Sequence, residues 1–292
     1  MIREDTTRLG SPKMEFYREI FKNSPRWNGS EPLHGKHLVV YCEQGLGDQI
    51  QFMRYIPKVK ERYPLCRITL HCSQALHRLL EKSRFDAMVL NRDEEELPEH
   101  DYHITSLSLP FALQEFDADS GWLLDVGDRK QEIHDHLTEH AYKIGIAWEG
   151  NPDHSNNEDR CCYLTQFAYL KDKLLNLPRP VHFFSLQKDY HNPKYINTDD
   201  LCVWSLDKIN DMLDTARAIN SMDAIVTVDT SILHLAGTIG KPTWGLLSHA
   251  HDPRWTVRQW YPSVTLVRQP SYGDWKSVMD EVGYTIREII RC

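Results

Sequence analysis

The chain has 292 residues, a formal net charge of −8 at pH 7 and an isoelectric point near 6.0. This length predicts either one large domain or two domains of ordinary size, and both can bury a substantial core. Acidic and basic residues are interspersed without a Lys/Arg stripe, which argues against a nucleic-acid surface and predicts no nucleic-acid partner.

The sequence predicts neither export nor membrane insertion. The first ten residues lack an apolar signal core, and no uninterrupted apolar run approaches the ~20 residues of a membrane-spanning helix. We therefore expect a cytoplasmic protein with no transmembrane segment, and peripheral contact with a membrane stays open.

Cysteine and histidine spacing predicts no metal site. The seven cysteines show no C-x-x-C spacing, and the 15 histidines form no H-E-x-x-H motif or similar cluster. The adjacent Cys161 and Cys162 are expected to be free thiols that pack in the interior of a protein from a reducing compartment.

The first 35 residues are predicted to form an N-terminal arm. A Ser-Pro pair at residues 11–12 predicts the start of a short helix that runs to residue 21. The tripeptide Trp-Asn-Gly at residues 27–29 indicates an irregular segment after that helix.

An apolar run at residues 38–42 predicts a buried strand, and a polar loop with two glycines follows it. Gly45 and Gly47 carry no Cβ, so they allow the main chain to turn tightly and to approach a ligand. Asp48 then stands at the start of a helix, where it can accept a proton from an incoming hydroxyl group or act only as a helix cap. This single G-x-G lacks the third glycine of a dinucleotide fingerprint.

Strands and helices alternate along the remaining chain, as is typical of doubly wound α/β domains with parallel sheets. The predicted elements are residues 68–72, 75–81, 88–90, 144–148, 182–186 and 209–221. We place a hinge in the charged, weakly periodic residues 127–140. The predicted organisation is an arm at 1–35, one α/β domain at 36–135, a second at 136–270, and a closing amphipathic helix (274–290) within 271–292.

Residues 226–247 form the most informative stretch. A buried strand at 224–228 leads through Asp229, Thr230 and Ser231 into an apolar helix that ends at Gly240. Open α/β sheets bind ligands at the carboxyl ends of their strands, and a helix N-terminus there favours phosphate. It is equally open that Thr230 or Ser231 is only an N-cap and that Asp229 only complements the helix dipole.

Four ordered motifs resemble the heptosyltransferase-like glycosyltransferases. They are EQGLGDQIQFMRYIP (43–57), IGIAWEGNPDHSNNEDR (144–160), FFSLQKD (183–189) and VDTSILHLAGTIGKPTW (228–244). The resemblance extends from about residue 27 through RW…WYP (254–262) and points to the branch usually found behind tetratricopeptide repeats. It implies a GT-B architecture, in which two Rossmann-like domains, one for the acceptor and one for the nucleotide sugar, face each other across a cleft.

The resemblance also implies a reaction. A sugar (hexosyl or heptosyl) would move, with inversion and without a metal, from a nucleotide-diphosphate sugar to a hydroxyl-bearing glycan, lipopolysaccharide-type, lipid-linked or protein acceptor. The nucleotide sugar is a substrate, and no cofactor is implied. The family's catalytic base corresponds to Asp48. The donor-binding positions correspond to Arg160, Gln187, Asp229, Thr230, Ser231 and His234.

Two departures from the family pattern leave the sugar and the acceptor unassigned. Cys161 and Cys162 follow Arg160 where Ser-Ile-Pro is common, and no tetratricopeptide repeats precede residue 27. Two other functions stay open: a nucleotide-sugar epimerase of the same fold, active without an acceptor, and a non-catalytic nucleotide-sugar-binding module, which would tolerate loss of Asp48. The joint presence of Gly-Asp at 47–48 and Asp-Thr at 229–230 favours a transferase.

Overall fold

The computed structural model describes residues 21–83, 85–117, 122, 126–128, 140–152, 156–187, 203–205 (backbone only) and 209–291. The chain divides into two compact units, Met1–Leu124 and Asp125–Cys292. The helix predicted before residue 21 lies outside the described residues, as does most of the predicted hinge at 127–140. The predicted domain limits therefore stay predictions.

The first unit contains a four-stranded parallel sheet in the order β3-β2-β1-β4. Its strands are β1 His37–Tyr41, β2 Arg67–Cys72, β3 Met88–Asn91 and β4 Tyr102–Thr105. Val39 of β1 pairs with Thr69 on one side and with His103 on the other. The carboxyl ends of β1 and β4 thus flank the point where the strand order reverses, which is where sheets of this type bind ligands.

The helices of the first unit differ from the sequence prediction in one respect. They are α1 Leu46–Phe52, a 3-10 helix Met53–Tyr55, α2 Ile56–Arg62, α3 Gln74–Glu81, a second 3-10 helix Ser106–Ser108 and α4 Leu109–Leu113. The single helix predicted after Asp48 is wrong, because Pro57 has no N–H to donate to the carbonyl of Met53. Ile56 and Val59, on either side of Pro57, are nevertheless fully buried.

The second unit contains a six-stranded parallel sheet in the order β10-β9-β8-β5-β6-β7. Its strands are β5 Tyr142–Ala147, β6 Val181–Ser185, β7 Val203–Ser205, β8 Ala224–Val228, β9 Thr243–Leu247 and β10 Val264–Arg268. Numbered from the first strand of the unit, this is the 3-2-1-4-5-6 order of dinucleotide-binding sheets. Its switch point lies between β5 and β8, where Ile146 pairs with Val226.

The helices of the second unit cover this sheet. They are α5 Asn157–Arg160, α6 Leu164–Lys173, α7 Met212–Asn220, α8 Ser231–Ile239, α9 Arg254–Val257 and α10 Trp275–Arg291. The predicted closing helix is α10, and it packs closely on α6. A Cβ added to Gly283 would lie 3.2 Å from Cβ of Lys173 and 3.3 Å from Cδ1 of Leu170.

Two other sequence predictions can be compared with the described residues. The five cysteines within these ranges are free and buried, which confirms the prediction for Cys161 and Cys162. No helix in the described part of the chain is both long and apolar enough to cross a lipid bilayer.

Candidate functional site

Three loops meet at the switch point of the second unit's sheet. β5 continues into Glu149 and Gly150, β6 into Gln187, and β8 into Asp229. The backbone N–H of Glu149 donates a hydrogen bond to Oε1 of Gln187 at 3.4 Å. The predicted donor-binding residue Gln187 therefore borders the loop that follows β5.

Arg160 lies across this switch point. A Cβ added to Gly150 would lie 2.2 Å from Nη2 of Arg160, so the guanidinium rests on the bare Cα of the glycine. Nη1 donates to the backbone carbonyl of Asp229 at 3.3 Å, and Nε donates to Oδ1 of Asn157 at 3.3 Å. The structure thus brings two predicted donor-binding residues, Arg160 and Asp229, into contact.

The unusual Cys161-Cys162 pair fixes the loop beneath Arg160. The N–H of Gly150 donates to Sγ of Cys161 at 3.3 Å, and that thiol donates to Oδ1 of Asn157 at 3.3 Å. The N–H of Cys162 donates to the carbonyl of Trp148 at 3.0 Å. Burial raises the pKa of the Cys162 thiol well above its usual value, so this thiol is neutral and acts in packing.

Thr230 and Ser231 form the N-terminus of α8. Oγ1 of Thr230 accepts a hydrogen bond from the N–H of Ile232 at 3.2 Å, so Thr230 is the N-cap, one of the two residues that the sequence left open for that role. Ser231 is the first helical residue and is half-buried. A capping hydroxyl satisfies only part of a helix N-terminus, whose partial positive charge still favours an anion.

Asp229 is a carboxylate surrounded by cationic and aromatic groups. Burial raises its pKa above the usual value, and Trp255, Arg254 and Arg160 lower it, in that order of effect. The net result is a raised pKa, which the contact with Trp255 and the charges of two guanidinium groups, one from α5 and one from α9, only partly offset.

His234 lies in the first turn of α8 and is buried against two aromatic rings. Its Nδ1 is hydrogen-bonded to the hydroxyl of Tyr261 at 3.0 Å, and its ring stacks on Trp255 with 5.0 Å between centroids. Only 4% of the residue is exposed. The predicted contact of His234 with diphosphate stays a prediction.

In the first unit, Asp48 lies in the first turn of α1, at the carboxyl end of β1. It is half-buried, and its Oδ2 would be 3.5 Å from a Cβ added to Gly45, which is an ordinary contact distance. Gly45 is the N-cap residue of α1, and no side-chain capping hydrogen bond is made there. The carboxylate thus lies over the glycine loop.

The tight turn predicted at Gly45 and Gly47 falls on another residue. The backbone of Gln44 is left-handed, with φ of 63°, whereas Gly45 has φ of −71° and Gly47 is helical. The amide of Gln49 donates to the carbonyl of Gln44 at 3.1 Å and so holds the turn. The glycines leave the loop without Cβ atoms, but they do not make the left-handed turn.

The structure adds Glu43 to the residues around Asp48. Its Oε1 accepts a hydrogen bond from the N–H of Leu107 at 3.3 Å, and its own N–H donates to Oγ of Ser106 at 3.4 Å. Glu43 therefore ties the loop after β1 to the loop after β4. Burial raises the pKa of Glu43, the charge of Asp48 raises it further, and Arg26 lowers it. The sequence could have pointed to Glu43, because this residue stands in the same short loop that leads to Asp48.

Among the described residues, no group of three or more His, Cys, Asp or Glu side chains is arranged to hold a metal ion.

Comparison with known proteins finds one curated protein that is similar in sequence and several solved structures that are similar in fold. No protein-family model matches the chain. Protein FlbA of Caulobacter vibrioides is 24% identical over 303 residues, a match that covers 90% of this chain and 48% of FlbA. The chain thus spans about half the length of that curated relative.

Solved structures resemble the chain over most of its length. ADP-heptose LPS heptosyltransferase II of E. coli superposes with a TM-score of 0.61 at 15% identity, covering 87% of this chain and 99% of the enzyme. A family 9 glycosyltransferase of Veillonella parvula gives 0.62 at 14% identity, covering 89% and 91%. The chain therefore has the two-domain, Rossmann-like GT-B fold. Within that class, the fold is that of the heptosyltransferase-like glycosyltransferases, as the motifs predicted.

Proposed function

We propose that the chain is an inverting glycosyltransferase that moves a sugar from a nucleotide-diphosphate sugar to a hydroxyl group of an acceptor. One observation carries the proposal: Arg160, seated on Gly150 and bonded to the Asp229 carbonyl, meets the N-terminus of α8 at the switch point of a dinucleotide-type sheet. A guanidinium beside a helix N-terminus is a site for phosphate oxygens. The fold shared with an ADP-heptose heptosyltransferase supports a nucleotide-sugar donor.

Asp48 is the proposed general base. Its carboxylate takes the proton of the acceptor hydroxyl while the acceptor oxygen bonds to the anomeric carbon. The bond between that carbon and the phosphate oxygen breaks, and the nucleoside diphosphate leaves with the electron pair. Attack on the face opposite to the leaving group inverts the anomeric configuration.

The proposed reaction needs no metal, because the protein supplies positive charge to the leaving group. The diphosphate gains negative charge as it departs, and fixed donors aimed at that charge lower the barrier. Arg160 and the N-terminus of α8 supply these donors in the second unit.

The test is an NMR assay of the anomeric protons with a panel of nucleotide-diphosphate sugars and hydroxyl acceptors. The acceptors are a glycan, a lipid-linked saccharide and a protein, each compared with an acceptor-free sample. We expect nucleoside diphosphate release and a product of inverted configuration only when an acceptor is present. Conversion of one nucleotide sugar into another without an acceptor would identify an epimerase, and binding without turnover would identify a binding module. Either outcome overturns the proposal.

A further inference from the structure

Helix α9 packs against the same end of α8 that Arg160 approaches. Trp255 of α9 is only 5% exposed, and its ring stacks on His234 in the first turn of α8, with 30° between the ring planes. Arg254, the residue before Trp255, therefore also lies near the N-terminus of α8. The N-terminus of α8 is therefore flanked by α5 on one side and by α9 on another.

The indole N–H of Trp255 is a buried donor whose contact with the Asp229 carboxylate lowers the pKa of that group. Nε1 is buried and makes no hydrogen bond of ordinary geometry with the described residues. Its effect on Asp229 indicates that it faces that carboxylate. An indole N–H can only donate, and a buried donor without an acceptor is rare and costly. A phosphate oxygen bound at the N-terminus of α8 would give this donor a better-placed acceptor than Asp229.

Arg254 is held rigidly beside this donor. Its Nε lies 3.1 Å from Oδ2 of Asp252, and its backbone N–H donates to Oδ1 of the same residue at 2.8 Å. Its carbonyl accepts a hydrogen bond from the indole of Trp260 at 2.9 Å. Arg254 lowers the pKa of Asp229 more than Arg160 does, so its charge also lies close to that carboxylate.

We propose that Arg254 is a second phosphate-binding cation of the donor site and that the Trp255 indole N–H donates to the same phosphate group. Arg160 and Arg254 then bind the diphosphate from two sides of Asp229, whose charge offsets their mutual repulsion before the ligand arrives. Asp252 is a positioning residue, because it acts through Arg254. The inference rests on the proposed function, since it assigns residues to the same donor.

The test is calorimetric titration of ADP, GDP and UDP, and of the matching nucleosides, into the full chain and its variants. Arg254→Ala should weaken binding of the preferred diphosphate about 10- to 100-fold and leave the nucleoside affinity unchanged. Arg254→Lys should recover part of the loss, since lysine keeps the charge but not the fork. Arg258→Ala is the matched control, because Arg258 follows α9 and lies over Trp260, 5.0 Å from the ring centroid. It should change affinity less than about twofold.

Two further variants keep the test decisive if Arg254→Ala does not fold. Asp252→Asn removes the anchor of Arg254 and should weaken diphosphate binding without affecting the nucleoside. Trp255→Phe keeps the ring that stacks on His234 but removes the N–H, and it should weaken diphosphate binding about 5- to 10-fold. If the wild type binds a diphosphate and these variants bind it equally well, this inference is wrong and the proposed function stands. If the wild type binds no diphosphate, the proposed function itself fails.

Discussion

Gly150 sets the position of Arg160, because only a residue without Cβ leaves room for the guanidinium. In Gly150→Ala the new methyl group would displace Nη2, which lies 2.2 Å from the Cβ position. We expect Gly150→Ala and Arg160→Ala each to weaken nucleoside diphosphate binding by about 1.5–3 kcal/mol. The double variant should lose little more than either single one, because both changes remove the same contact.

Calorimetric titration of the two single variants and the double variant checks this coupling. Gly45→Ala is the control, since its Cβ would meet only Asp48 Oδ2 at an ordinary 3.5 Å and its φ is −71°. It should leave nucleotide affinity unchanged. Full additivity of the Gly150 and Arg160 losses would show that the two residues act separately.

Asp48 gives the second prediction at this scale. Asp48→Asn keeps the shape of the side chain but removes its capacity to take a proton, so turnover should fall about 10²- to 10⁴-fold. Nucleoside diphosphate affinity should be unchanged, because the donor residues lie in the second unit. Steady-state rates and titrations on the same preparation separate the two effects. A wild-type rate in Asp48→Asn would remove Asp48 from the mechanism.

The sequence identified some site residues and missed others for a physical reason. Arg160 and Asp229 stand in motifs that each follow a strand, so parallel pairing brings them to the same sheet edge. Trp255 and Arg254 reach that edge only because α9 folds back onto α8, and no local pattern encodes such a contact. Glu43 stands in the same loop as Asp48, but its hydrogen bonds to Ser106 and Leu107 depend on β4, which no apolar run in the sequence predicts.

Among the elements, β4 is held at the edge of its sheet by a short segment of the arm. Arg26 forms a parallel bridge with His103, and the N–H of Trp27 donates to the carbonyl of His103 at 2.8 Å. Oγ of Ser24 lies 2.8 Å from Nε2 of His100 and 2.9 Å from Nδ1 of His103. These contacts tie the arm to the imidazoles of His100 and His103.

This network predicts a pH dependence of stability. Burial lowers the pKa of His103 from 6.5 to about 4, and the charges of His100 and Arg26 contribute. Because the folded pKa is the lower one, the unfolded chain binds the proton first. Stability is therefore complete above pH 6.5, falls as the pH drops from 6.5 towards 4, and then levels off. Since His103 is half-buried, the loss should be about 1–2 kcal/mol.

Urea unfolding between pH 7.5 and pH 4 measures this loss. His37, His71 and His182 also have lowered pKa values, so the informative quantity is the difference between the wild type and His103→Asn. The asparagine amide can still donate to Ser24 and does not titrate. The variant should show a smaller fall in stability on acidification, and equal falls would contradict the account of the arm.

Replacement by alanine should lower the free energy of unfolding by different amounts at two glycines, one inside α8 and one at its C-cap. Gly240 ends the helix with φ of 81° and has no atom within 4 Å of its Cβ position, so Gly240→Ala should cost only about 1 kcal/mol through backbone strain. At Gly237 a Cβ would lie 2.4 Å from the Tyr261 ring, so Gly237→Ala should cost about 2–3 kcal/mol. Thermal unfolding of both variants gives the comparison. A smaller loss in Gly237→Ala than in Gly240→Ala would contradict the observed packing of Tyr261.

Element boundaries show what the sequence could and could not predict. The apolar runs that became β1, β5 and β8 were identified because these strands are buried on both faces. β4 was missed because its four residues are mostly half-buried and carry no apolar run. Pro57 in the sequence could have predicted the break in the helix, because proline lacks a backbone N–H. The apolar residues Ile56 and Val59, at helical spacing on either side, instead favoured a continuous helix.

At the scale of the whole molecule, the two units repeat one topological plan. Each sheet reverses its strand order beside its first strand, and in each unit the candidate residues lie at that reversal. Alternation of strands and helices was sufficient to predict two doubly wound domains. The strand order itself depends on long-range pairing, which periodicity cannot encode.

The most direct test of the account is calorimetric titration of nucleoside diphosphates into the full chain, with and without EDTA. We expect one of them to bind with the same affinity in both buffers, because Arg160 and the N-terminus of α8 supply the positive charge. Absence of binding by every nucleoside diphosphate, or binding that EDTA abolishes and magnesium restores, would contradict it.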